Sequence, residues 1–150
     1  MDKIDVEILW TLKQSSPHAL SIHDVVKKNK KLSLNDELKC KLDSLENDRI
    51  IESTNMADND ISYTITRKGN DLIWNGEPWN VIFNLIKLVD PEKYTSNEIR
   101  RISNKSLIES VKNIEYLRKN LKIIDGQPQG FKLYFVLSEK GKSFDDKLDH

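Results

Sequence analysis

Ile61-Ser62-Tyr63-Thr64-Ile65-Thr66-Arg67-Lys68-Gly69 returns 72 residues later as Leu133-Tyr134-Phe135-Val136-Leu137-Ser138-Glu139-Lys140-Gly141. In both stretches a β-rich run ends in a hydroxyl residue, then a lysine and a glycine. The match extends upstream at the same offset, with Leu42, Leu45 and Ile51 answering Ile114, Leu117 and Ile123. Further back the register drifts by a residue or two. Ser33-Leu34-Asn35-Asp36 pairs with Ser106-Leu107-Ile108-Glu109, and Ser21-Ile22-His23-Asp24-Val25 with Thr95-Ser96-Asn97-Glu98-Ile99. Apolar, capping and glycine positions recur together, the signature of an internal repeat.

Each copy is predicted to run helix, helix, helix, strand, strand, short helix. Ile4, Ile8 and Leu12 recur every fourth residue and mark one face of a first helix. Ser21-x-x-Asp24 resembles a capping box and opens the second. Ser33-x-x-Asp36 opens the third, with Leu34, Leu38, Leu42 and Leu45 as its expected core stripe. Ile50 to Thr54 and Ile61 to Thr66 form a hairpin around the turn-forming stretch from Asn55 to Asp60. In the second copy Pro78 stands at a first helical position, and Thr95-x-x-Glu98 and Ser106-x-x-Glu109 supply the caps. The expected core stripe of its third helix is Leu107, Val111, Ile114 and Leu117. Its hairpin is expected as Leu121 to Ile124, a loop from Gly126 to Gly130, and Phe131 to Leu137.

Three helices, a two-stranded wing and the apolar-Thr/Ser-x-Lys-Gly ending resemble the winged helix-turn-helix domains of archaeal and bacterial regulators. The resemblance covers nearly the whole chain. It implies a mainly α fold with small β-hairpins (α+β), built as two tandem domains, residues 1–74 and 75–150. It also implies that the third helix enters the major groove of double-stranded DNA while the wing touches the flanking backbone. On the third helix of the second copy, the face opposite the expected stripe carries Lys112, Asn113, Tyr116 and Lys119. Asn and Lys bond base edges, and Lys neutralises phosphate. Arg100, Arg101 and Lys105 fall on the preceding helix and turn, and Lys122 and Lys132 flank the wing. The implied function is transcriptional regulation by sequence-dependent DNA binding. The corresponding face of the first copy shows Asp36, Cys40, Asp43 and Asn47, with Asp58 and Asp60 at the wing tip, and repels phosphate. That copy is expected to touch DNA weakly or to bind protein. Its run Lys27, Lys28, Lys30 and Lys31 reads as a solvated turn or as a backbone contact.

Charge bears on the same question. The chain carries 24 Lys/Arg and 24 Asp/Glu, without the basic excess usual in nucleic-acid binders. Residues 1–74 hold 11 basic against 13 acidic groups and residues 75–150 hold 13 against 11, so the second copy is the more basic. Tandem winged helices also resemble ESCRT-complex subunits, chromosome-segregation partners of condensin and RNA polymerase subunits, and a protein-interaction module is the alternative expectation. No Gly-rich phosphate loop, paired-cysteine zinc motif or nucleophile elbow is present, so no enzyme, metal or cofactor is expected. Cys40 is the single cysteine and lies between Lys39 and Lys41, which leaves an inert thiol and a redox sensor as its two readings. The longest apolar run, Trp79 to Val89, is far shorter than the ~20 residues of a bilayer span. No basic segment leads into an apolar stretch at the N-terminus, and the expected location is the cytoplasm. The same run is apolar nearly all round, so more than one side of its helix needs cover. The cover is either the other copy or a second chain in a homodimer.

Overall fold

Hydroxyl and amide side chains set the helix starts. The computed structural model describes residues 1–55 and 60–144. In it the Ser21 hydroxyl accepts from the Asp24 N–H at 3.2 Å, while the Ser21 N–H donates to the Asp24 carboxylate at 3.3 Å. Thr95 and Glu98 make the same reciprocal pair, at 3.3 and 3.1 Å. Each box satisfies orphan N–H groups of a first turn and puts a carboxylate at the positive end of the helix dipole.

The residues from these caps outward form an α+β fold. The first unit, Lys3–Leu72, holds α1 (Lys3–Ser15), β1 (Leu20–Ser21), α2 (Ile22–Lys28), α3 (Asp36–Asn47), β2 (Ile51–Asn55) and β3 (Ile61–Ile65), and α4 (Arg67–Ile73) runs to its end. The second unit comprises the chain from Ile73 onward with Met1–Asp2. It holds α5 (Pro78–Val89), β4 (Tyr94–Thr95), α6 (Ser96–Ser103), α7 (Leu107–Glu115), a π-helical turn (Tyr116–Asn120), β5 (Ile124–Gln129), β6 (Lys132–Leu137) and α8 (Glu139–Lys142). Each unit has one three-stranded antiparallel sheet, ordered β1-β3-β2 and β4-β6-β5. The hairpins were expected. The third strands, two residues each, were not, and they pair Leu20 with Tyr63 and Tyr94 with Phe135.

The core of the first unit takes Val6, Ile8, Leu9 and Leu12 from α1, Val25 from α2, and Leu38, Leu42 and Leu45 from α3. It also encloses polar groups. The Asn29 amide donates to Glu7 Oε1 and to Thr11 Oγ1, both at 3.0 Å, and all three residues are buried. In the second unit Trp79, Val81, Ile82, Phe83, Leu85, Ile86 and Val89 of α5 are buried. Burying each such side chain contributes about 1.5–3 kcal/mol. Aromatic rings meet here, with Phe144 5.5 Å from Phe83 and 6.4 Å from Trp79 between centroids. The Trp74 indole donates to the Ile102 carbonyl at 3.1 Å and fastens the chain to α6.

The repeated ending has a structural reason. Thr66 Oγ1 donates to the Ile50 carbonyl at 2.8 Å and accepts from the Gly69 N–H at 3.0 Å. Ser138 Oγ donates to the Lys122 carbonyl at 2.7 Å and accepts from the Gly141 N–H at 3.0 Å. One hydroxyl thus caps the last helix and ties it to the entrance of the hairpin. A Cβ on Gly69 would lie 2.2 Å from the Ile50 carbonyl oxygen, and one on Gly141 would lie 2.0 Å from that of Ile123. Only glycine fits at either position.

Three details depart from the expected pattern. The α3 helix starts later, because the Asn35 side chain and not Ser33 accepts from the Leu38 N–H at 2.9 Å, which leaves Leu34 exposed. The first strand of the second hairpin is displaced, since Leu121 to Ile123 is not strand and the stretch from Gly126 to Gln129 is strand and not loop. Pro128 opposes Leu133 on an edge strand, where its missing N–H costs nothing, and the turn shrinks to Gly130, at φ +63°, and Phe131. The buried face of α7 is Ser110 and Ile114, continued by Leu117, whereas Leu107 and Val111 are exposed. In the first hairpin the expected turn residues Met56, Ala57, Asp58 and Asn59 lie outside the described residues.

Candidate nucleic-acid interface

In the second unit a short turn joins α6 to α7. Three residues join the helices. Asn104 takes the left-handed conformation at φ 58°, and its N–H bonds back to the last turn of α6. The Lys105 N–H donates to the Arg100 carbonyl at 3.3 Å, and Ser106 Oγ caps α7 by accepting from the Glu109 N–H at 3.2 Å. Asn tolerates this backbone because its short polar side chain bonds locally. In the first unit seven residues separate α2 from α3, with Asn29 Oδ1 accepting from the Lys31 N–H at 3.0 Å.

Arg100 and Arg101 are half-buried on α6, Lys105 is half-buried in the turn, and Lys112 is exposed on α7. Lys122 is exposed at the foot of the β5–β6 hairpin, with φ 57°, and Lys132 is exposed at its turn end, opposite Gln129. Arg100, Lys105, Lys112, Lys122 and Lys132 make no ion pair among the described residues. The remaining expected contacts are differently engaged. The Asn113 amide donates to the Glu109 carbonyl at 2.7 Å. The Tyr116 ring lies 5.8 Å from Trp79, packed and only half-exposed. Lys119 Nζ sits 2.8 Å from Glu115 Oε2, with Arg118 3.2 Å from the other carboxylate oxygen.

The hydrogen bond from Lys119, followed by the charges of Lys119 and Arg118, holds the Glu115 carboxyl below the usual carboxylate range despite an opposing desolvation contribution. Both cations therefore share one ionised carboxylate at neutral pH, and the three groups together keep a single positive charge. Arg118, which also lies beside Gly126 of β5, belongs with the basic residues of this unit. Its sequence signal was its place next to Lys119 at the end of the third helix.

The solvent face of α7 centres on Ile108 and Lys112, with Leu107 and Val111 along one edge. The apolar members are 57% (Leu107), 68% (Ile108) and 49% (Val111) exposed. This face is turned roughly 40° from the expected one, at 100° per residue. No protein-family model matches the chain, and no curated protein is significantly similar to it. The counterpart face on α3 is acidic as read from sequence, with Asp36, Cys40, Asp43 and Asn47 all exposed. Asp60 is exposed too, while Asp58 lies outside the described residues. No helix among the described residues is long and apolar enough to cross a membrane.

Proposed function

We propose that the chain is a tandem pair of winged helix-turn-helix domains, residues 1–74 and 75–150, that binds double-stranded DNA as a cytoplasmic transcriptional regulator. The α6–turn–α7 segment carries the reading. A tight three-residue turn presents Arg100, Lys105 and Lys112, and the hairpin adds Lys122 and Lys132. In this arrangement α6 crosses the phosphate backbone, α7 faces the major groove and the hairpin flanks it. Affinity comes mainly from phosphate neutralisation. With Asn113 bonded to its own helix, base contact falls to Lys112 and to the methyl-directed side chains of Leu107, Ile108 and Val111, apolar groups that suit thymine.

The test is a fluorescence-anisotropy titration of a labelled mixed-sequence duplex at several salt concentrations. Arg100→Ala with Arg101→Ala should weaken binding to all duplexes alike and make the salt dependence shallower by roughly one unit per lost phosphate contact. A neutral result for the pair, with circular dichroism showing an intact fold, ends the DNA reading.

The exposed Leu107, Ile108 and Val111 patch favours a second reading, a protein-assembly module whose α7 packs against a partner or a second copy. On that reading Ile108→Asp abolishes association in light scattering, and the arginine pair has no role in DNA binding.

A further inference from the structure

We propose that Asn75 is a self-modification site, an asparagine that converts to aspartate and isoaspartate through attack by the backbone nitrogen of Gly76. Asparagine is chemically labile, and most so before glycine, whose missing Cβ leaves the approach to its nitrogen open. Asn75-Gly76 is the one Asn-Gly step in the sequence. It lies between α4 and α5, outside any helix or strand, and both residues are exposed. Gly76 has φ +86°. Neither the Asn75 side chain nor the Gly76 N–H makes a hydrogen bond among the described residues.

The fold withholds these conditions elsewhere. The side-chain amides of Asn29, Asn35, Asn70 and Asn113 are held in hydrogen bonds. The one Asp-Gly step, Asp125-Gly126, could close the same ring, but it sits in the β5–β6 ladder opposite Val136 and Phe135. The ladder keeps that backbone extended and resists the rotation that ring closure needs. At Asn75 the Gly76 nitrogen bonds to Cγ, the bond from Cγ to the side-chain nitrogen breaks, and ammonia leaves with the Gly76 amide proton. Solvent water then opens the cyclic succinimide at one of its two carbonyls. Breaking the new bond to Gly76 gives aspartate, and breaking the original peptide bond gives isoaspartate. No electrons are transferred. The product places a carboxylate beside Glu77 at the start of α5, where the helix dipole favours an anion. Residues 75–150 then hold 13 basic groups against 12 acidic ones instead of 11. Isoaspartate also adds a methylene to a short bridge between Trp74, bonded to Ile102, and Glu77, bonded to Asn80. This inference is independent of the DNA reading.

The experiment keeps the full chain, folded or unfolded in guanidinium, in mildly alkaline buffer for days and maps its peptides by mass. The peptide spanning Asn75 should gain the mass difference between amide and acid at comparable rates in both states. It should split into two chromatographic products of equal mass. Isomerisation at Asp125 should require the unfolded chain. Asn75→Gln, at an exposed position, should leave the circular dichroism unchanged and suppress the mass gain, because its larger ring closes slowly. Conversion of Asn75 in the unfolded chain alone, or in neither state, would overturn the proposal. So would earlier conversion of another asparagine in the folded chain, or a single aspartate product, which marks direct hydrolysis without the ring.

Discussion

Gly69 and Gly141 show how one missing side chain fixes a junction. Each lets a short helix settle against the carbonyl that precedes a hairpin, at 2.2 and 2.0 Å from where a Cβ would stand. Alanine at either site must push the helix off that carbonyl. Gly69→Ala and Gly141→Ala should each cost about 1–3 kcal/mol, read as a lowered midpoint in urea denaturation. Asn29 is a second keystone, since its amide satisfies both buried Glu7 and Thr11. Asn29→Leu leaves those acceptors without that donor and should cost about 1–3 kcal/mol. Tyr63 gives a pH signature. Its folded phenol holds its proton above the ordinary tyrosine range, chiefly through burial and then through Asp43 and Glu46. The resulting stability is fully present below the unfolded tyrosine value and is lost as pH rises through the folded one. Asp43→Asn should move this ionisation down, measured as phenolate absorbance lost in a Tyr63→Phe difference.

At the scale of elements, α7 and its π-helical extension decide how much charge reaches a ligand. Glu115 counters Lys119 and Arg118, so Glu115→Gln should release two cations. On the DNA reading, affinity for duplex then rises at low salt and the salt dependence steepens by about one to two units, measured by anisotropy. Helix starts and strands were legible where a local group dictates them. Ser21, Thr95 and Ser106 announce caps in the sequence, and all three side chains accept the expected N–H, whereas Ser33 gives that place to Asn35. The α7 face was misread because a stripe of aliphatic residues looks like core from sequence. Ser110 carries no such signal, yet it is buried while Leu107 and Val111 stay outside. The two-residue strands β1 and β4 are too short for an alternating pattern. The buried Glu7 could not be foreseen either, because a carboxylate enters a core only with a donor such as Asn29, which lies 22 residues away.

Over the whole chain, the two units repeat an order of elements while their third helices carry different surfaces. Asp36 and Asp43 are exposed on α3, and Ile108 and Lys112 on α7. Each unit has its own buried apolar set, so residues 3–72 and 73–150 expressed separately should each unfold cooperatively in urea. A non-cooperative transition from either would show that it lacks a self-sufficient core. Cys40 adds a property of its own. It is the single cysteine of the sequence and is exposed on α3, while neighbouring Lys41 is held 3.7 Å from Asp5. The molecule therefore has one thiol through which two copies can become covalently joined in air, and that linkage passes through α3. A disulfide-joined pair and a pair held by the apolar face of α7 are different objects. Reductant dissolves the first and leaves the second intact.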